Sequence, residues 1–201
     1  MQLRNQARGT TRDVQRKRVY DAEREFRTWH GEGAPLPTVA DVERFVRRVF
    51  SAKRVLRRWP FLQDHAIEVH CGAGCRNALA FDDQMIKIPL WARTEFTVLH
   101  ELAHIIHKRG AKVSVTRQYG IRPPSLDEDR AWYQGHGYQF CRIFLDLVKL
   151  YMGGDMERAL KRRFKMYRVR YKAPRKLSPE QRLALANRLR RLRGEPTKLA
   201  A

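Results

Sequence analysis

The sequence predicts an α+β fold in which several helices surround a small antiparallel sheet. Apolar residues recur at helical spacing in long stretches before residue 60 and after residue 94. Between them, three short stretches (66–70, 77–81 and 85–88) alternate or run apolar, as strands do. The chain has 201 residues, of which 43% are apolar and 31% are charged. This is enough for one ordinary core with extensions.

The helix before the sheet is predicted to run from Thr38 to about Trp59. Thr38 and Asp41 give a capping signal at its start, and Pro60 closes it. The apolar residues between these limits fall on one face, which is expected to pack on the core. The opposite face is strongly basic, and no acidic residue lies between positions 44 and 58.

The helix after the sheet contains the sequence His100-Glu101-Leu102-Ala103-His104 inside an apolar stretch. Residues four apart lie on one face of a helix, so both imidazoles can converge on one Zn²⁺ at about 2.0–2.1 Å. Glu101 lies beside them, where it can polarise a water and act as general base in hydrolysis. Thr94 and Gly110 predict a helix from about 94 to about 109.

A catalytic zinc ion needs a third protein ligand, and His136 is the candidate. A second long helix is predicted to begin at a capping box at Ser125 and to end near residue 153. His136 lies on the apolar stripe of this helix and is expected to face the first one. His107 is excluded, because on a continuous helix it lies about 10 Å along the axis from His100.

With these residues in place, the chain resembles the SprT-like zinc metallopeptidases. Their pattern is HExxH followed by a helix bearing H-G-x-x-F, which here reads His136-Gly137-Tyr138-Gln139-Phe140. This similarity covers about residues 40–150. Residues 12–23 also resemble a small family of metallohydrolases from GC-rich bacteria and their phages. The resemblance implies a zincin-like core, a zinc cofactor and hydrolysis of protein located on nucleic acid.

The order of elements divides the chain into three predicted parts. Residues 1–37 are a basic N-terminal arm and linker, in which Val19, Ala22 and Phe26 form a thin apolar stripe. Residues 38–154 are the minimal zincin-like metallohydrolase core. Residues 155–201 are a basic helical C-terminal extension.

Metal-assisted peptide hydrolysis is the predicted chemistry. His100, His104 and His136 are the predicted zinc ligands, and Glu101 is the base that deprotonates the attacking water. The developing oxyanion needs a further donor. Tyr133, about one turn before His136, and Tyr138 are the candidates. An extended substrate is expected to add to the sheet edge nearest the metal, and the strand at 85–88 is the predicted edge.

The net charge of +21 indicates an anionic partner. Residues 149–201 carry 17 basic and four acidic side chains, and Phe164, Tyr167 and Tyr171 lie among the basic ones. A partner that releases counterions explains this charge density, and aromatic rings can stack on unpaired bases. DNA and RNA both fit, and anionic lipid or an acidic protein remains an alternative. The predicted nucleic-acid-binding residues are Arg44, Arg47, Arg48, Arg54, Arg57, Arg58, Arg158, Lys161, Arg162, Arg163, Lys165, Arg168, Arg170, Lys172, Arg175 and Lys176.

Composition also bears on localisation. Nothing approaches about 18 consecutive apolar residues, so no membrane span is expected. Three cysteines and a start without an apolar signal segment favour a reducing cytoplasm.

Two other classes of protein stay open. The first is a non-catalytic nucleic-acid-binding protein with a structural zinc, for which Asp127, Glu128 or Asp129 could supply a fourth ligand. The second is a phage-type assembly or interaction protein with a remnant zincin fold, which would bind neither zinc nor DNA.

Overall fold

The computed structural model describes residues 13, 15–81, 83–119, 135–173, 178, 180–181, 183–184 and 187–188. Its helices are α1 (Arg16–His30), α2 (Val39–Ser51), α3 (Lys53–Arg58), α4 (Glu95–Tyr119), α5 (Tyr138–Tyr151) and α6 (Gly154–Met166). Its strands are β1 (Glu68–Cys71), β2 (Leu79–Phe81) and β3 (Met85–Ile88). The fold is α+β, as predicted. None of the helices described is long and apolar enough to cross a membrane.

The sheet is mixed, whereas an antiparallel sheet was predicted. β3 lies in the centre, with β1 parallel on one side and β2 antiparallel on the other. The prediction that residues 85–88 form the sheet edge is therefore wrong, and β1 and β2 are the edges. Gly72, directly after β1, permits a close approach to the end of β3, because a β-carbon there would lie only 2.6 Å from the backbone nitrogen of Pro89. The chain thus leaves β1 by crossing closely past the end of β3, and β2 pairs on the far side.

Helix α1 packs into the core, although its sequence was assigned to a basic arm. Val19, Ala22 and Phe26 have no exposed surface. The ring of Phe26 stacks on that of Phe96 in α4, with the centroids 4.9 Å apart. Phe164 of α6 belongs to the same buried cluster. These contacts hold α1 against the helix that carries the HExxH sequence.

Helix α4 begins where the sequence predicts but ends later. Thr94 caps it, since the Thr97 N–H donates to the Thr94 hydroxyl at 3.3 Å. The helix continues through Gly110 to Tyr119, so the predicted end at about 109 is wrong. A β-carbon at Gly110 would lie 3.1 Å from Cζ of Phe61. The glycine therefore makes room for the ring of Phe61 and does not terminate the helix.

The helix predicted from Thr38 to Trp59 is in fact two helices, which the extended residue Ala52 separates. The predicted capping signal is confirmed: the Asp41 N–H donates to the Thr38 hydroxyl at 3.1 Å, and the Asp41 carboxylate accepts from the Thr38 N–H at 2.9 Å. Phe50 and Val55 are both buried. In one continuous helix these two would lie about 140° apart around the axis, so the break lets both reach the core.

Candidate metal centre

Three imidazoles converge inside the protein between α4 and the start of α5. His100 and His104 come from α4, and His136 comes from the turn before α5. One candidate ligand atom from each residue lies within 4.8 Å of the others, and the Nε2 atoms of His100 and His104 are 3.1 Å apart. Two nitrogens bound at 2.0–2.1 Å to a tetrahedral ion are about 3.3 Å apart. The cluster can therefore hold a metal ion.

His136 lies in a turn, whereas the sequence predicted the middle of a long helix. Helix α5 begins at Tyr138, with Gly137 as its N-cap residue. The predicted helix start at Ser125 lies outside the described residues, as do Asp127, Glu128 and Asp129. Nε2 of His136 is buried and has no hydrogen-bond partner among the described residues. An unpaired buried polar atom costs free energy, and a metal ion is a partner that this nitrogen fits.

Two carboxylates from the N-terminal segment orient two of these histidines. Oε1 of Glu23 lies 2.9 Å from Nδ1 of His100, and Oδ2 of Asp13 lies 2.6 Å from Nδ1 of His136. An Nδ1–H that donates to a carboxylate leaves the Nε2 lone pair free for a metal, an arrangement typical of metal-binding histidines. The sequence analysis missed both acids. The signal for Glu23 was available, since it lies on the buried stripe of α1 that Phe26 shares.

Gln15 fixes the turn that carries His136. Its Nε2 donates to the backbone carbonyl of His136 at 2.5 Å and to that of Arg170 at 3.1 Å. The Arg170 N–H in turn donates to Oε1 of Gln15 at 2.9 Å. The N-terminal segment, the His136 turn and the chain after α6 are thus joined at one buried amide side chain.

Burial and neighbouring charges set the protonation of the three histidines. Burial acts to lower the pKa of His100, but the Glu23 carboxylate outweighs it and leaves this pKa raised. Burial, with His100 adding to it, holds the pKa of His104 well below its usual value. Burial also lowers the pKa of His136, against the opposing effect of Asp13. His104 and His136 are therefore neutral at pH 7, as metal ligation requires.

Glu101 and His100 both line a cleft of about 240 Å³. The Glu101 side chain is buried, and its carboxylate accepts a hydrogen bond from the backbone N–H of Ala80 in β2. Burial raises the pKa of this carboxyl. The cleft lies between α1 on one side and the first turns of α4, with the segment before β2, on the other. Its other lining residues are Arg16, Tyr20, Glu23, Arg24, Arg27, Asn77, Ala78, Trp91, Phe96 and Thr97.

In the part of the chain that is described, Tyr138, one of the two tyrosines predicted to assist catalysis, does not line this cleft. Tyr133 lies outside that part. Tyr138 is the first residue of α5 and is partly exposed. Tyr20, which the sequence analysis did not select, lines the cleft and contacts two of the histidines. Its ring stacks on His100 with the centroids 5.7 Å apart and meets His136 edge-on at 4.9 Å.

The basic residues of α2 and α3 lie on an exposed surface. Three of them pair with carboxylates, namely Arg44 with Asp41, Arg48 with Glu95 and Arg58 with Asp146. The Arg54 guanidinium lies 4.7 Å from the ring centroid of Tyr151. Arg47 and Arg57 have no carboxylate partner among the described residues.

The basic residues of α6 and the segment after it are more varied. Arg163 pairs with Glu25 at 2.7 Å, and Lys161 pairs with Glu157. Phe164 is fully buried, so it cannot stack on a base. Arg158, Arg162, Lys165, Arg168, Arg170 and Lys172 are exposed, whereas Arg175 and Lys176 lie outside the described residues.

Comparison of the chain with protein-family models, with curated proteins and with solved structures found no match. The class of site is therefore defined by its own geometry. It is a candidate metal centre of three histidines, with a buried carboxylate next to one of them and a cleft that opens to solvent.

Replacing Glu23 tests whether the carboxylates support the centre. We expect Glu23→Ala to weaken zinc binding about 10–100-fold, because His100 loses the partner that orients its ring. Glu25→Ala is the matched control, since Glu25 lies on the same helix and pairs with Arg163 instead. Competition against a chromophoric chelator gives both affinities. Equal zinc affinity in wild type and Glu23→Ala would contradict an orienting role.

Proposed function

We propose that this protein is a zinc-dependent metallopeptidase that holds its metal with His100, His104 and His136. The observation that carries the proposal is the convergence of three buried imidazoles beside Glu101, where His100 and Glu101 both line a cleft. The resemblance to the SprT-like metallopeptidases agrees with this proposal.

The metal and the protein have separate roles in the reaction. When bound, a zinc ion lowers the pKa of a water to about 7 and polarises a carbonyl group. Glu101 removes a proton from the attacking water and later gives that proton to the leaving amine. Burial suits this role, because it raises the pKa of the Glu101 carboxyl towards the working pH. The hydrogen bond from Ala80 holds the carboxylate in place.

The segment just before the edge strand β2 is the place where an extended substrate would bind. The N–H of Ala80 in β2 donates to the Glu101 carboxylate, and the Ala80 carbonyl accepts from Nζ of Lys108 at 3.3 Å. Asn77 and Ala78, which precede β2, line the cleft. A substrate strand that pairs with this segment places its backbone next to Glu101.

The substrate class in this proposal is protein associated with nucleic acid, which the resemblance implies. The net charge of +21 supports it, as do the exposed arginines of α2 and α3, of which Arg47 and Arg57 have no carboxylate partner in the described parts of the chain. Such residues bind phosphates and release counterions. In this account the basic surfaces tether the enzyme near its substrate.

A protein-hydrolysis assay with metal removal tests the proposal. We expect the purified protein to release peptides from casein or from DNA-bound protein. This hydrolysis should stop when 1,10-phenanthroline removes the metal, and it should resume when zinc is restored. One tightly bound zinc per chain without hydrolysis of either substrate would favour a structural metal and contradict the enzyme.

Nucleic-acid binding is tested separately by its salt dependence. Each lost phosphate contact reduces the slope of log K against log salt by about 0.7–0.9. The double variant Arg47→Gln, Arg57→Gln should therefore lower the slope by about 1.5 for labelled oligonucleotides in fluorescence anisotropy. The charge-matched control Lys17→Gln, Arg18→Gln on α1 should lower this salt slope by less. Absence of binding at 50 mM salt would remove the nucleic-acid part of the proposal and leave the hydrolase part intact.

A further inference from the structure

We infer that Tyr20 is a catalytic residue, whose hydroxyl stabilises the oxyanion that develops on the substrate, and that Arg16 is its positioning residue. This inference rests on the proposed hydrolase function and assigns the donor that the chemistry of that site requires.

The first observation is the location of the Tyr20 ring. It stacks on His100 with an angle of 21° between the ring planes and meets the edge of His136. It also lines the cleft together with Glu101, and 39% of its surface is exposed. Tyr20 therefore lies where substrate, general base and the histidine cluster meet. None of the other tyrosines among the described residues lines this cleft.

The second observation is the contact with Arg16. The guanidinium lies 5.5 Å from the ring centroid of Tyr20 and donates a hydrogen bond to its hydroxyl oxygen. A hydroxyl that accepts from one side keeps its own proton for an acceptor on the other side.

The third observation is the packing of the helix that carries Tyr20. Val19 and Ala22 next to it are fully buried, and Glu23, one turn later, is hydrogen-bonded to His100. A donor held in place before the reaction stabilises a developing charge without a cost of reorganisation. One turn of α1 thus carries both Glu23, which orients His100, and Tyr20, the proposed hydrogen-bond donor.

The reaction balances with these groups. The water oxygen forms a bond to the carbonyl carbon while Glu101 takes the water proton, and the carbonyl π electrons move to the oxygen. The Tyr20 hydroxyl donates a hydrogen bond to that oxygen and keeps its proton. When the C–N bond breaks, the electrons on the oxygen re-form the carbonyl, and the leaving nitrogen takes the proton from Glu101.

Tyr20→Phe keeps the ring and removes only the hydroxyl. We expect kcat for casein hydrolysis to fall about 10²–10³-fold, with KM and zinc affinity within twofold of wild type. Arg16→Gln should lower kcat about tenfold, the effect of one hydrogen bond to a charged group. Tyr151→Phe is the control, because the Tyr151 hydroxyl donates to the Val49 carbonyl at 3.3 Å and does not line the cleft, so all three quantities should stay unchanged.

Inhibitor binding gives a readout that does not depend on turnover. A phosphinic peptide imitates the tetrahedral oxyanion, so calorimetry should show that Tyr20→Phe weakens its binding by about as much as kcat/KM falls. A hydroxamate of the same sequence, which chelates zinc without imitating that oxyanion, should lose less than threefold.

The outcomes separate the two proposals. Wild-type protein without hydrolytic activity would overturn the proposed function and this inference with it. Wild-type activity together with unchanged kcat and unchanged phosphinic-peptide binding in Tyr20→Phe would overturn the inference alone. Loss of zinc from Tyr20→Phe would show that the hydroxyl supports the metal site and does not act on the substrate, which also overturns it.

Discussion

Glu101→Gln is expected to lower kcat for protein hydrolysis by about 10²–10⁴-fold, the range typical of a lost general base. Glutamine keeps the size of the side chain and can still accept the Ala80 N–H through its amide oxygen. It has no basic oxygen for the water proton at neutral pH, so only the proton transfer is removed.

The measurement pairs initial rates of casein hydrolysis with zinc content by mass spectrometry. One zinc per chain in the inactive variant would separate catalysis from metal binding. Glu68→Gln is the control, because the Glu68 side chain is 69% exposed on β1 and pairs with His70. Wild-type rates in Glu101→Gln would contradict its assignment as the base.

His136→Ala is expected to weaken zinc binding by about 10²–10³-fold. Structural zinc sites with four ligands bind with about 10–16 kcal/mol, so one ligand contributes about 3 kcal/mol or slightly more. The loss should exceed that of Asp13→Asn, which leaves the imidazole of His136 in place but changes its partner at Nδ1.

The measurement for this second prediction is the zinc dissociation constant, determined by competition against a chromophoric chelator. His70→Ala is the matched control, because the His70 side chain is 46% exposed and pairs with Glu68. Circular dichroism should show that both variants keep the helical content of the wild type. Unchanged affinity in folded His136→Ala would remove the third ligand from the account.

The sequence was sufficient for features that depend on helical spacing. The pair His100 and His104 follows from positions four apart on one helix, and its place in the middle of α4 follows from the apolar residues around it. His136 was also selected correctly for the cluster, although for the wrong local structure. The reason was its apolar surroundings, which the packing around Phe140 bears out: the rings of Phe140 and His136 meet edge-on with their centroids 4.9 Å apart.

Contacts between distant segments could not be predicted from spacing. Glu23 and His100 are 77 positions apart, and Asp13 and His136 are 123 apart. Both acids lie in a segment whose dominant feature is positive charge, so their role depends on how α1 packs on α4. Tyr20 was missed for the same reason.

Backbone features that depend on close packing could not be predicted from the sequence either. In the sequence, a glycine in the position of Gly110 is typical of a helix end. In the structure, the ring of Phe61 packs against Gly110 and accounts for the glycine. Gly72 gives no sign in the sequence that the chain passes close to Pro89 at the end of β3. The sheet edge was therefore assigned to β3 when β2 holds the position next to Glu101.

X-ray absorption at the zinc edge of the purified, zinc-loaded protein tests the metal centre most directly. We predict three imidazole nitrogens and at least one further oxygen, all at about 2.0–2.2 Å, and a loss of one imidazole contribution in His136→Ala. Sulfur scattering at about 2.3 Å, or fewer than three imidazoles in the wild type, would contradict it.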